Sequence, residues 1–190
     1  MARKAADGGD HASAIALYER CVRYDGDDRQ VNDSLVETVS NALVQTVNVY
    51  QVDGLQDTCV AHLQRLASVR TPLLQRLCRR DLAVVTAYAM SRTENESGAA
   101  LLMDKALRMK PYLPSPNRLF RDYAYAAATY FCLPDRQRQV FHYGKKALAQ
   151  AHLCKNLSGT QWLTSMLGQL YERTGDMAGA IDMNRRAYDE

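Results

Sequence analysis

Residues 167–187 read LGQLYERTGDMAGAIDMNRRA, and their spacing decides the fold. Gly168 stands three residues before Tyr171, Tyr171 four before Gly175, and Gly175 five before Ala180. Ala180, Ile181, Asn184 and Ala187 then place apolar or small residues at i, i+1, i+4 and i+7, which is one face of an amphipathic helix. Gly175 falls where a tight turn between two helices needs a residue tolerant of positive φ. The stretch therefore reads as helix, turn, helix.

The same face recurs in Ala14-Ile15…Tyr18…Cys21-Val22, Cys59-Val60…Leu63…Leu66-Ala67, Ala99-Ala100…Met103…Ala106-Leu107 and Val140-Phe141…Gly144…Ala147-Leu148. The first positions are 14, 59, 99, 140 and 180, at intervals of 45, 40, 41 and 40, and self-similarity at such a period points to stacked helical units. Gly9 and Gly54 repeat the turn position of Gly175. Tyr50, Met90 and Phe131 repeat Tyr171, and Val47, Ala87 and Ala128 repeat the slim slot of Gly168, where two antiparallel helices approach closely. No stretch alternates apolar and polar residues as a half-buried strand does.

This pattern resembles the tetratricopeptide repeat (TPR). Leu167-Gly168-x-x-Tyr171-x-x-x-Gly175-Asp176-x-x-x-Ala180-Ile181…Ala187 carries the likeness, with Ala99…Met103…Ala106…Pro111 matching a second half-repeat. The likeness extends over essentially the whole chain. Two features depart from the family pattern: the period exceeds the usual ~34 residues, and Cys59 and Val140 stand where a small residue opens the second helix. The longer spacing resembles the extended repeats of kinesin light chains and of many bacterial regulatory and sensor proteins. The resemblance implies an all-α fold, a right-handed α-solenoid of stacked antiparallel helix pairs, as a single array divided at 1–28 (a partial repeat), 29–70, 71–112, 113–154 and 155–190. Helices are expected at 10–24, 33–51 with 55–69, 72–92 with 97–110, 116–133 with 136–153, and 159–173 with 176–190. Too few residues precede Gly9 for a full first helix, and the last helix reaches Glu190 without a polar cap. The sequence thus predicts a segment of a longer protein, or end repeats that pack into a homodimer.

Helix starts carry their own signals. Thr71-Pro72 and Ser115-Pro116 each read as a cap followed by Pro in the first turn, and Ser34…Glu37 and Ser158…Gln161 read as capping boxes. The sequons Asn32-Asp-Ser34, Asn95-Glu-Ser97 and Asn156-Leu-Ser158 place Ser at helix starts, so capping by Ser explains them better than glycosylation.

Composition narrows the function classes. With 190 residues, 24 Lys+Arg against 21 Asp+Glu, 47% hydrophobic and 24% charged residues, the chain is neither disordered, collagenous nor a coiled coil. The even charge argues against nucleic acid. No apolar run approaches the ~18–20 residues of a membrane span. Asp7 to His11 interrupt the position of a signal peptide's apolar core. Five widely spaced cysteines, at 21, 59, 78, 132 and 154, form no CxxC pair and fit buried thiols in a reducing, cytoplasmic compartment.

No phosphate-binding loop, HExxH or GxSxG occurs, and His152-x-Cys154 supplies only two potential ligands, so no metal, cofactor or catalytic residue is expected. Arg76, Arg79 and Arg80 read as a solvated face or as a contact for an acidic partner or phosphates.

In TPR arrays the first helix of each pair lines a concave groove that takes a peptide or helix. The resemblance puts Asn41, Val44, Asn48 and Gln51 on that face, then Asp81, Val84, Tyr88 and Ser91. Asp122, Tyr125 and Thr129 follow, and finally Trp162, Ser165, Gln169 and Glu172. Asn48, Tyr88, Asp122, Tyr125, Thr129, Trp162 and Gln169 are the expected partner-binding set, because large amphipathic rings dominate binding hot spots and amides can pair with backbone. Few lysines lie there, which disfavours the carboxylate-clamp ligands of chaperone-tail binders. The expectation is a non-enzymatic protein-interaction module. Its alternatives are a homo-oligomerisation scaffold and an enzyme using a groove Cys or His.

Overall fold

The computed structural model describes residues 1–23, 33–68, 77–112 and 114–189, with side chains through residue 186. Among these residues there are ten α-helices, one 3-10 turn and no strand. They are α1 (Ala2–Asp7), α2 (His11–Val22), α3 (Asp33–Val52), α4 (Gln56–Ser68), α5 (Arg79–Met90), α6 (Glu96–Arg108), α7 (Pro116–Phe131), α8 (Gln137–Leu153), α9 (Leu157–Arg173) and α10 (Met177–Asp189). The all-helical expectation is met. No described helix is long and apolar enough to cross a membrane.

The chain forms two compact units, Met1–Leu113 and Pro114–Glu190, where the sequence reads as one array. The division falls in the break marked by Pro111, Pro114 and Pro116. In the first unit α1 packs on α2, α2 on α3, α3 on α4 and α5, α4 on α5, and α5 on α6. In the second, α7, α8, α9 and α10 each pack on the next. The cores hold the periodic residues: Ala14, Val22, Leu63, Met103, Val140, Ala147 and Ala180 are all essentially inaccessible. Val47, Ala87, Ala128 and Gly168, the slim slots, are buried too. A Cβ at Gly168 would meet the Asn184 side chain of α10, which would have to turn away to admit it.

The turns share one construction. Gly9, Gly54 and Gly175 have φ of 80°, 67° and 78°. The following residue donates its N–H back across the turn: Asp10 to the Ala5 carbonyl, Leu55 to Tyr50 and Asp176 to Tyr171, each at 2.9 Å. This closure satisfies a carbonyl that the helix end leaves open. The same closure joins α8 to α9, with Asn156 donating to Ala151 at 2.9 Å, but there the left-handed residue is Lys155 at φ 53°. A Cβ in this region costs about 1–2 kcal/mol, offset partly by the entropy that glycine loses on folding. Gly175→Ala should destabilise by about 1 kcal/mol from strain alone, since nothing crowds the site. Lys155→Gly should stabilise by up to ~1 kcal/mol. Denaturant unfolding of both variants reads these opposite signs.

The residues before Gly9 form only the short helix α1, six residues that bury no side chain, in keeping with a partial first pair. Several local expectations need correction. Asparagine rather than serine caps two sequon helices: Asn95 Oδ1 accepts from Gly98 N–H at 3.1 Å, and Asn156 Oδ1 from Gly159 N–H at 3.0 Å. Ser158 therefore lies within α9 and Ser34 within α3, neither acting as a cap. Ser115 does cap α7, accepting from Arg118 N–H at 3.3 Å ahead of Pro116. Asn32, Thr71-Pro72 and Arg76 lie outside the described residues.

Candidate interaction surface

Each unit sets two first-of-pair helices side by side. In the first, Ser40 of α3 donates to Asp81 of α5 at 2.7 Å inside the core. Asn48 is exposed, whereas Tyr88 is buried, with Arg92 donating to its hydroxyl at 3.4 Å and lying over its ring. Asp81, Val84 and Ser91 are buried as well.

In the second unit Phe120 of α7 lies against Gly159 of α9, and Phe131 against Arg173. The two helices therefore run parallel, and Tyr125 falls between Trp162 and Gln169 along their length. Trp162 is 42% exposed, an unusual position for the chain's sole tryptophan. Gln169 and Glu172 are exposed beside it, and Tyr125 and Ser165 are half-buried. Asp122 and Thr129 are inside, at 5% and 0% exposure. Asp122 repeats the position of Asp81 one period on and is buried as Asp81 is. The Thr129 hydroxyl has no hydrogen-bond partner among the described residues.

Of the seven expected binding residues, the structure thus leaves Asn48, Trp162 and Gln169 at the surface and Tyr125 partly so. It encloses Tyr88, Asp122 and Thr129. Helix packing brings Tyr125, Trp162 and Gln169 onto neighbouring helices of one unit.

Among the described residues His11 Nδ1 pairs with Asp53 Oδ1 at 2.5 Å, joining α2 to the end of α3. All five cysteines are free thiols, and among the described residues no three His, Cys, Asp or Glu side chains gather as a metal site. Cys59 and Cys78 are buried, and burial pushes the Cys59 thiol up to about 12, the opposite of an activated nucleophile. Arg80 is not a solvated cation. It is buried, and its guanidinium donates to the Met109 carbonyl at 2.6 Å, at the C-terminal end of α6.

His62 is a buried imidazole with a perturbed pKa. Arg65 donates to its Nδ1 at 3.1 Å, which fixes the proton on Nε2, and that buried nitrogen has no partner among the described residues. Burial holds the imidazole below its ordinary pKa of 6.5; Arg65 and Arg23 push the same way and Glu19 opposes them. The unfolded chain thus takes up the proton more readily than the folded one. Stability is full above pH ~6.5 and falls as pH drops from there toward the folded-state pKa. The melting temperature between pH 7.5 and 5.5 should fall more steeply in the native chain than in His62→Gln. Parallel slopes would remove His62 as the cause.

No family model, curated protein or solved structure matches this chain.

Proposed function

We propose that the chain is a non-enzymatic protein-interaction module, a right-handed TPR-like α-solenoid that presents the parallel first helices of its pairs to a peptide or helix, within a regulatory or sensor protein. The exposure of Trp162 carries this reading. A tryptophan left 42% in water loses the favourable burial of a large apolar ring, and such a residue is the commonest kind of interface anchor. Tyr125 extends the apolar area on the adjacent helix, and Gln169 offers an amide donor and acceptor to a peptide backbone. The raised Cys59 thiol supports the non-enzymatic half of the proposal.

Selection of displayed peptides on the folded chain tests it. Enriched peptides should contain apolar residues, and their addition should shift the NMR signals of Tyr125, Trp162 and Gln169. Shifts confined to other helices would overturn the assignment.

One observation favours a second reading, self-association. On α10, Met177 and Ile181 are 60% and 66% exposed one helical turn apart. If this face pairs two copies, Ile181→Glu should convert a concentration-dependent dimer into a monomer in sedimentation. A chain that is monomeric throughout the micromolar range would dispose of this reading.

A further inference from the structure

A pocket of about 120 Å³ opens in the second unit, where the end of α7, the 3-10 turn Pro134–Arg136 and the end of α9 meet. Phe131, Leu133, Pro134, Val140 and Leu170 give it largely apolar walls, and Cys132 and Gln137 complete the lining. Such a volume suits one aliphatic side chain.

Arg173 gives the pocket its polarity. Its guanidinium lies 4.2 Å from the centre of the Phe131 ring. A cation over a ring face is attracted by its π electrons, and a guanidinium has five N–H donors to offer other acceptors. One of these makes a long contact of 3.5 Å to the Phe131 carbonyl. Among the described residues no carboxylate lies within ion-pair distance of Arg173. The ring therefore holds a planar, bidentate-capable cation in place beside an apolar pocket, with the charge uncompensated. Fixing the side chain in advance lowers the entropic cost of engaging an anion.

We infer that this pocket binds the C-terminal residue of a partner polypeptide, its aliphatic side chain in the pocket and its α-carboxylate on Arg173. Charge complementarity selects the occupant. An aliphatic chain alone leaves the guanidinium unanswered, and a carboxylate alone leaves the pocket open. The C-terminal residue of a polypeptide joins both groups at a single carbon. The site is separate from the surface around Trp162 and does not depend on its assignment.

N-acetyl-leucine and N-acetyl-leucine amide test the inference on the intact chain, followed by NMR at Phe131, Leu133 and Gln137 and by the rate of Cys132 alkylation mapped by mass spectrometry. N-acetyl-leucine should bind in the millimolar range, shift those amides and slow alkylation of Cys132. The amide should bind at least ~10-fold more weakly, the difference expected for a lost charge-assisted pair. Arg173→Gln, a change at an exposed position, should erase that difference, and Arg173→Lys should restore only part of it. Equal affinity of acid and amide would overturn the proposal. So would an unchanged preference in Arg173→Gln, or no response at these residues at ~20 mM ligand, well above millimolar affinity. N-acetyl-leucyl-aspartic acid α-amide, whose only carboxylate is the aspartate side chain, should be weak; binding equal to N-acetyl-leucine would overturn the C-terminal assignment.

Discussion

Tyr130→Ala is expected to remove about 3–5 kcal/mol from the stability of the second unit, the largest effect of any single substitution considered. Tyr130 is completely buried, and it is the largest such side chain among the described residues. Its ring stacks on Tyr143 of α8 at 5.8 Å, and Tyr143 stacks in turn on Tyr123 at 6.1 Å, so the aromatic column joins α7 to α8 along their length. Truncation loses the transfer free energy of the ring and leaves a cavity that two packed helices cannot close. Small domains have about 5–15 kcal/mol in total. Hydrogen exchange should therefore show α7, α8 and α9 losing most of their protection in this variant. Tyr130→Phe keeps the ring and should cost about 1 kcal/mol. Near-native protection in Tyr130→Ala would mean that the column does not hold the two helices together.

Arg80→Met should cost the first unit about 2–3 kcal/mol. The aliphatic stem is preserved, so the loss isolates the charged head. That head reaches the Met109 carbonyl at 2.6 Å and the Leu107 carbonyl at 3.5 Å. These lie where a helix leaves its last carbonyls unpaired and concentrates negative partial charge. A buried guanidinium in that position caps α6 from α5, a neighbour across the pair. Exchange at the end of α6 should accelerate first, and denaturant midpoints should give the size. A change below ~0.5 kcal/mol would mean that solvent serves the Leu107 and Met109 carbonyls as well as the guanidinium does.

The helix pairs were legible because a stripe at i, i+4 and i+7 reports burial directly, and because glycine is nearly obligatory at positive φ. The α9–α10 pair follows its expected bounds within two residues at each described end. Lys155 shows the limit of that logic: the α8–α9 turn has the same geometry as Gly175 without a glycine to announce it. The caps misled because Asn and Ser compete at the same helix starts, and only the backbone decides which side chain meets the free N–H groups. The binding face was hardest to read. A helix packed against its partner and also against the next first helix has little surface left, as α5 shows by burying every residue from Arg80 to Met90 except Ala83. Periodicity distinguishes inside from outside, but it cannot separate a groove from a contact between neighbouring helices. Asp81 and Asp122, polar and regularly spaced, looked like groove residues for that reason. Arg80 looked solvated for a related one, since the carbonyls that receive it lie almost thirty residues away. The pocket beside Arg173 draws on α7, α8 and α9 at once and has no local signature.

The most direct test of the central claim uses Trp162 as both anchor and reporter. As the chain's sole tryptophan, it should change its emission when a peptide selected on the folded protein is added. Titration calorimetry of the same peptide against Trp162→Ala should show affinity falling about 30-fold, the ~2 kcal/mol typical of a hot-spot ring, with the melting temperature essentially unchanged. An affinity within twofold of the native chain, with no change in Trp162 emission on binding, would contradict an interaction surface centred on α7 and α9.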